Sequence, residues 1–231
     1  MIKAVILDAY GTIFYTGTGS VDMMTEILRL NGRPELDPAI VYKRFKKIHK
    51  KHIEELKDFK TEEEVFGMDM EQLSQEYGLT RDPKEDTKIV LSIQGTREAY
   101  PDSRAAIEKM QCYVPVVIGS TTDTWPVLAD LERAGIVPDK IFTSESMRVY
   151  KPLEGFYRTI LKDLDIQPEE ALFAGDSLTD DVFGPQQAGL KTCWIRRKGQ
   201  ALKEQDPKPD YITDDLLKLA EIVEEISEKR S

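Results

Sequence analysis

The 231-residue sequence predicts an α/β protein, a doubly wound parallel sheet interrupted by an all-helical insertion, on three observations. A strand-like apolar run stands alone at residues 2–7, residues 16–97 carry almost no strand signal, and from residue 100 short apolar runs alternate with amphipathic segments. Strands alternating with helices imply right-handed crossovers and a parallel sheet covered on both faces. The first strand most simply joins that sheet, so residues 1–15 and 98–231 form the core and 16–97 the insertion. A hydrophobic content of 40% at this length is enough to build it.

Taken in chain order, "MIKAVIL" is the first strand. In the insertion, "SVDMMTEILRLNG" reads as a helix with Ser20 as N-cap and Gly32 as stop. "DPAIVYKRFKKIHKKHIEELKDF" follows, with Asp37 and Pro38 suited to N-cap and N1. "TEEEVFGMDMEQLSQEYG" and "PKEDTKIVLSIQGTREA" complete four helices, the third carrying an interior Gly67. The core strands are "CYVPVVIG", "KIFTS", "EALFAG", "KTCWIR" and "DYIT", with helices near 102–111, 124–135, 152–165, 180–188 and 214–228. The final "EEISEKRS" is expected to fray.

A net charge of -10 argues against general binding to nucleic acid or to an anionic membrane, since both need a basic surface. Cys112 and Cys193 are far apart and outside any CxxC spacing, so neither a disulfide framework nor a zinc site is expected. The opening segment is too short an apolar run for a signal peptide, and no run approaches a membrane span. The expectation from composition is a soluble, cytoplasmic protein, monomer or homodimer; that it acts on a small anionic molecule is an expectation only of the motifs that follow.

In open parallel sheets ligands bind beyond the carboxyl ends of the strands. There the sequence places Asp8, then Ser120 and Thr121, Lys151 a few residues past "IFTSESMRVY", and Asp176 with Asp180 and Asp181 one loop later. Several carboxylates, a hydroxyl and an ammonium would share one rim, and crowded carboxylates call for a divalent cation. Each residue alone also has a plainer reading: Asp8 as a turn residue, Ser120 and Thr121 as caps, Lys151 as an exposed lysine, "GDSLTDD" as a capping sequence. Their joint occurrence at strand ends is what those readings explain poorly.

The ordered motifs resemble those of the haloacid dehalogenase superfamily of hydrolases. Asp8-Ala9-Tyr10-Gly11-Thr12 matches its DxxGT, Ser120 its second-motif hydroxyl, Lys151 in "VYKP" its third motif, and "GDSLTDDVFG" its acidic fourth. The resemblance implies a Rossmann-like core with a helical cap at 16–97. It implies Asp8 as nucleophile, Ser120 and Lys151 as catalytic groups around the transferring group, and Gly11, Thr12 and Thr121 as substrate-binding positions. Mg²⁺ would be held by Asp8, the Tyr10 carbonyl, Asp176 and Asp181, the last directly or through water. Adjacent Asp180 leaves open which of the two serves the metal.

Tyr10 departs from the phosphatase pattern, in which an aspartate there protonates the leaving group and then activates water. A phenol with pKa about 10 is a poor base at neutral pH. "DAYGT" is instead similar to 2-haloacid dehalogenases, where halide leaves without a proton. The fourth motif points the other way, because a metal site suits phosphoryl transfer and not chloride displacement from carbon. The metal site weighs more, so a Mg²⁺-dependent phosphatase is favoured over a 2-haloacid dehalogenase. A third reading is a slow, phospho-ligand-binding relative.

Within the insertion, "YKRFKKIHKKH" concentrates basic residues in an acidic protein. Most read as a solvated face, but Arg44 is singled out as a carboxylate or phosphate clamp aimed at the cleft. His49 and His52, spaced i, i+3 on a helix with no evident acidic or Cys partner to complete a metal site, read as surface residues and not metal ligands. Tyr15 and Trp125 read as cleft-lining or packing aromatics.

Overall fold

The computed structural model describes residues 1–16 and 19–227. It contains two compact units, one of Met1–Tyr15 with Glu98–Ser231 and one of Thr16–Arg97.

The first unit is built on β1 (Ala4–Leu7), β2 (Val116–Ser120), β3 (Lys140–Thr143), β4 (Ala171–Gly175), β5 (Lys191–Ile195) and β6 (Tyr211–Thr213). All pair in parallel, in the order β3-β2-β1-β4-β5-β6. The chain moves outward from β1 through β2 to β3, then crosses to β4 on the other side of β1. The strand order thus reverses at β1, and a ligand crevice belongs at its carboxyl end. Alternate residues feed two cores, as a period of two requires. Val5, Leu7, Val116, Ile118, Leu172 and Ala174 pack with α5 (Ser103–Gln111), α6 (Thr124–Ala134) and α10 (Leu216–Ile226). Ile6, Val117, Phe142 and Phe173 pack with Phe156, Tyr157, Ile160 and Leu161 of α8 (Glu154–Leu164) on the other face. Burial on both faces is why the strands read as unbroken apolar runs.

The second unit holds α1 (Gly19–Leu30), α2 (Pro38–Glu55), α3 (Glu62–Tyr77) and α4 (Pro83–Ser92) around Met24, Ile27, Phe45, Ile48, Phe66, Met70 and Leu73. Asp37 caps α2 through the Ala39 and Ile40 amides, with Pro38 at the first turn. Thr61 and Glu64 form a reciprocal capping box on α3, and Gly78 ends it in the left-handed conformation.

Several expectations need correction. Ser20 is not an N-cap: α1 already includes Gly19, and Ser20 is buried in its first turn, accepting from Arg97 Nη2 at 3.2 Å. Helix α4 stops at Ser92, short of the predicted end, because Gly95 takes a positive φ of 67°. The predicted helix at 180–188 is a wide π-helical segment, Leu178–Phe183, followed by the single turn α9 (Gly184–Gln187). Pro185 has no N–H to continue the regular ladder. The predicted fraying of the last residues falls on 228–231, outside the described residues.

His49 and His52 are not surface residues either. Their Nδ1 atoms each lie 2.6 Å from one oxygen of Asp69 on α3, whose side chain is fully buried. Burial disfavours charge on His49, yet the hydrogen bond to Asp69 and the charges of Glu62 and Asp69 together raise its pKa. His49 also stacks on Phe66, with ring centres 5.0 Å apart. No helix among the described residues is long and apolar enough to cross a membrane.

Candidate active site

Strand register brings the motif residues of the first unit to one level. Leu7 aligns with Ile118 on one side and Ala174 on the other, so Asp8 stands beside Gly119 and Gly175, with Ser120 and Asp176 one residue beyond. The Asp8 amide extends the ladder by donating to the Ala174 carbonyl at 2.9 Å. The chain then turns sharply at Gly11, where φ is +99°. A Cβ at Gly11 would lie 2.4 Å from Asp176 Oδ2, and one at Gly175 would lie 2.3 Å from Asp181 Cγ. Both glycines are therefore required by the approach of the backbone to these carboxylates.

Carboxylate oxygens of Asp8, Asp176 and Asp181 lie within 4.8 Å of one another. Lys151 donates to Asp8 Oδ1 at 2.7 Å and to Asp181 Oδ1 at 2.8 Å. Its ammonium also sits 5.1 Å from the ring centre of Phe173 and 5.8 Å from that of Phe156. Burial works against charge on Lys151, but Asp181 and Asp8 outweigh it and hold the ammonium firmly protonated. Burial raises all three carboxyl groups. For Asp8 the Lys151 charge opposes the rise and Asp176 adds to it. Asp176 is pushed to about 6 by burial and then by Asp181. Asp181 is pushed to about 7 by burial, with Lys151 opposing and Asp8 adding. One ammonium among three carboxylates leaves a deficit of positive charge.

The donor set fits a hard divalent cation. Asp8 Oδ2 is buried with no hydrogen-bond partner among the described residues, and so is Thr12 Oγ1 in the same loop. Asp181 is committed on both sides, Oδ1 to Lys151 and Oδ2 to the Ser177 amide at 2.9 Å. It is thus placed to act on a cation through water, whereas Asp8 and Asp176 are the first candidates for direct ligation. Asp180, the alternative raised by the sequence, instead accepts from Ser177 Oγ at 3.0 Å.

The remaining site residues divide. Ser120 ends β2, almost fully buried, and Thr121 follows it half-buried. Neither caps α6: Asp123 is its N-cap residue, and Glu145 accepts from the Thr124 amide at 2.8 Å. Tyr10 leaves the Asp8 loop with its phenol donating to Asp130 Oδ2 at 2.9 Å. Arg44, predicted as a clamp aimed at a ligand, is engaged fork-to-fork with Glu76 of α3 at 2.6 and 2.7 Å within the helical unit. Tyr15 is exposed and its ring centre is 3.8 Å from that of Tyr100, while Trp125 is exposed on α6.

Four residues that sequence reasoning passed over support the site. Arg197 donates to the Thr12 carbonyl through Nη2 at 2.7 Å and through Nε at 3.2 Å, and holds both oxygens of Asp102 at 2.8 Å. Its guanidinium lies 4.0 Å from the Tyr100 ring centre. Asp102 also accepts from the Leu216 amide, so one partly buried pair ties the Asp8 loop to the starts of two helices. Trp194 Nε1 donates to the Asp176 carbonyl at 3.0 Å. Tyr157 donates to the Asp180 carbonyl, fixing the backbone beside Asp181, and burial holds its phenol well above the usual range.

This geometry can be set beside known proteins. A glyceraldehyde 3-phosphate phosphatase of Pyrococcus furiosus is 25% identical over 169 residues, 69% of this chain and 70% of that protein. The structure of an L-2-haloacid dehalogenase from Xanthobacter autotrophicus superposes with a TM-score of 0.79 at 19% identity, covering 98% of this chain and all of the other. A HAD-hydrolase of Bacillus subtilis solved with magnesium gives a TM-score of 0.78 at 21% identity over 96% of this chain and 99% of its own. At these identities the two structural likenesses establish the fold and leave the reaction open. The haloacid dehalogenase-like hydrolase family signature spans residues 2–189, from β1 through the acidic fourth motif. The chain is a hydrolase and belongs to the haloacid dehalogenase-like hydrolase family.

Proposed function

We propose that the protein is a Mg²⁺-dependent phosphatase of a small phosphorylated metabolite, with Asp8 as nucleophile. The observation that carries this reading is the buried, unpartnered Asp8 Oδ2 beside Asp176 and Asp181, a carboxylate cluster that Lys151 alone leaves short of positive charge. Asp8, the Tyr10 carbonyl and Asp176 would hold the ion, with Asp181 reaching it through water. When bound, it supplies charge neutralisation and alignment for phosphoryl transfer.

The chain's own groups do the rest. One oxygen of Asp8 attacks phosphorus as the bond to the leaving oxygen breaks, giving an aspartyl-phosphate that water then hydrolyses. Lys151, fixed between Asp8 and Asp181, orients the nucleophile and balances charge gathering at the phosphoryl oxygens. Ser120, on the neighbouring strand end, donates to the transferring group. Arg197 and Asp102 keep the loop of Gly11 and Thr12 in place. The relationship to a sugar-phosphate phosphatase supports the same chemistry. The helical unit would act as the cap that selects the substrate and excludes water.

A second reading, 2-haloacid dehalogenase, is favoured by one specific observation. Tyr10 stands where an acid–base carboxylate would serve ester hydrolysis, and halide departure needs none. The two are separated by assaying phosphate release from a phosphomonoester panel with and without Mg²⁺, and chloride release from 2-chloropropionate. Mg²⁺-dependent phosphate release is the expected result. Metal-independent chloride release with no phosphate release from any ester would reverse the assignment.

A further inference from the structure

The loop after β5 meets the candidate site on the far side of β1 from Ser120. Gly175 aligns with Trp194, so Asp176 stands level with Ile195, where β5 ends. The next residues form a tight turn, in which the Gly199 amide donates to the Arg196 carbonyl at 2.8 Å and Gly199 takes a φ of +62°. Arg197 and Lys198 occupy the two central positions of that turn. Arg197 holds the Thr12 carbonyl in the Asp8 loop, and Trp194 holds the Asp176 carbonyl. The turn is thereby fastened to both carboxylate loops, with Lys198 exposed upon it.

The neighbouring cations are already committed. Lys151 bridges Asp8 and Asp181, Arg197 is paired with Asp102, and Arg196 is paired with Asp214 and donates to the Gln200 carbonyl. Arg44, which the sequence suggested for an anion, is engaged with Glu76. The Lys198 amide donates to Gln200 Oε1 at 3.2 Å, whereas its ammonium makes no hydrogen bond or ion pair among the described residues. That ammonium is near enough to the Asp176 carboxylate to attract it. The fold fixes the backbone of Lys198 and leaves its charge unspent at the rim of the carboxylate cluster.

We propose that Lys198 binds a second anionic group of the substrate, a carboxylate or a further phosphate remote from the transferring phosphoryl group. The proposal rests on the phosphoryl reading above and narrows its substrate class to phosphate monoesters that carry another negative charge. A flexible lysine stem lets the ammonium reach such a group, and a hydrogen bond between charged partners is stronger than one between neutral groups. The group bound takes no part in the reaction, so the contact holds ground state and transition state alike and shows in KM.

The test measures Mg²⁺-dependent phosphate release from three series of matched chain length: alkyl phosphates, ω-carboxyalkyl phosphates and alkanediol bisphosphates. Mg²⁺ is kept saturating, so that altered metal affinity does not read as selectivity. At one or more chain lengths an anionic compound is expected to exceed its alkyl counterpart in kcat/KM by at least about tenfold, the worth of a hydrogen bond to a charged group. Lys198→Met is expected to remove most of that ratio, chiefly through KM, and Lys198→Arg to retain part of it. The series with the larger Lys198-dependent gain identifies the group bound. Lys203→Met, an equal loss of charge farther along the same loop, is expected to leave the ratio as it is. Alkyl phosphates turned over as well as both anionic series, or a ratio that Lys198→Met does not change, overturns the proposal while the phosphoryl reading stands. A Lys203→Met variant that lowers the ratio as far as Lys198→Met also overturns it, because the selectivity would then belong to the general field of the loop. No phosphate from any compound overturns the phosphoryl reading itself and this inference with it.

Discussion

Replacing Lys151 by Met roughly keeps the length of the side chain and removes the ammonium that bridges Asp8 and Asp181. Lys151 is 4% exposed and lies 2.7 Å from Asp8 and 2.8 Å from Asp181. At an effective dielectric of about 20, each contact is worth about 6 kcal/mol of gross Coulomb energy. Desolvation of the ions cancels most of that, and the loss of one partner from a buried ion pair typically costs about 3–5 kcal/mol. The expected destabilisation at neutral pH is of that size, a large share of the stability of an ordinary domain. The loss should depend on pH. Without Lys151 the three carboxyl groups are pushed further up than the values near 6 for Asp176 and 7 for Asp181. A group whose pKa is raised by folding contributes stability at low pH that is lost as pH rises through the native value. The gap between Lys151→Met and the parent should therefore widen from pH 5 to pH 8. Urea unfolding in the presence of EDTA measures it. An unchanged midpoint at pH 8, or a gap that does not vary with pH, would refute the reasoning.

Two further predictions are independent of catalysis. Gly11→Ala should cost about 1–3 kcal/mol through the strained backbone alone, and its Cβ should force Asp176 aside, so that calorimetric Mg²⁺ affinity falls together with the melting temperature. Unchanged Mg²⁺ binding would show that Asp176 does not hold the ion. In the helical unit, the raised pKa of His49 means its stabilising contribution is complete below the unfolded value of about 6.5 and fades as pH rises through the native one. The fall in stability between pH 6 and pH 9 should be shallower in His49→Gln, and parallel profiles would count against the Asp69 pairing.

Where the sequence was legible, local rules decided the outcome. Runs such as "AVIL" and "VVIG" are apolar at every position because both faces of the sheet are covered, and this reads directly as buried parallel strands. Asp37 with Pro38, and Thr61 with Glu64, are helix starts whose chemistry is complete within four residues. The order of Asp8, Ser120, Lys151 and Asp176 places them at strand ends, and register does the rest. What the sequence hid depends on partners distant in the chain. Asp69 lies 17 and 20 residues from the histidines it joins, and nothing in "HKKHIEE" points to it. Arg197 meets Thr12 across 185 positions, so its hold on the Asp8 loop is visible only in three dimensions. Asp130 lies 120 positions from Tyr10, so the bond it accepts from the Tyr10 hydroxyl is likewise visible only in the fold. The helix expected near 180–188 begins instead as the wide segment Leu178–Phe183, whose departure from 3.6 residues per turn no sequence period announces.

The central claim is that Asp8 and Asp176 share a metal ion poised for phosphoryl transfer. Diffraction from crystals soaked in millimolar Mg²⁺ tests it most directly. The account predicts an octahedral ion with oxygen ligands at about 2.1 Å from the Asp8 and Asp176 carboxylates and the Tyr10 carbonyl, with a water leading to Asp181. Crystals that show Lys151 still bridging Asp8 and Asp181, and no ion beside Asp176, would contradict it.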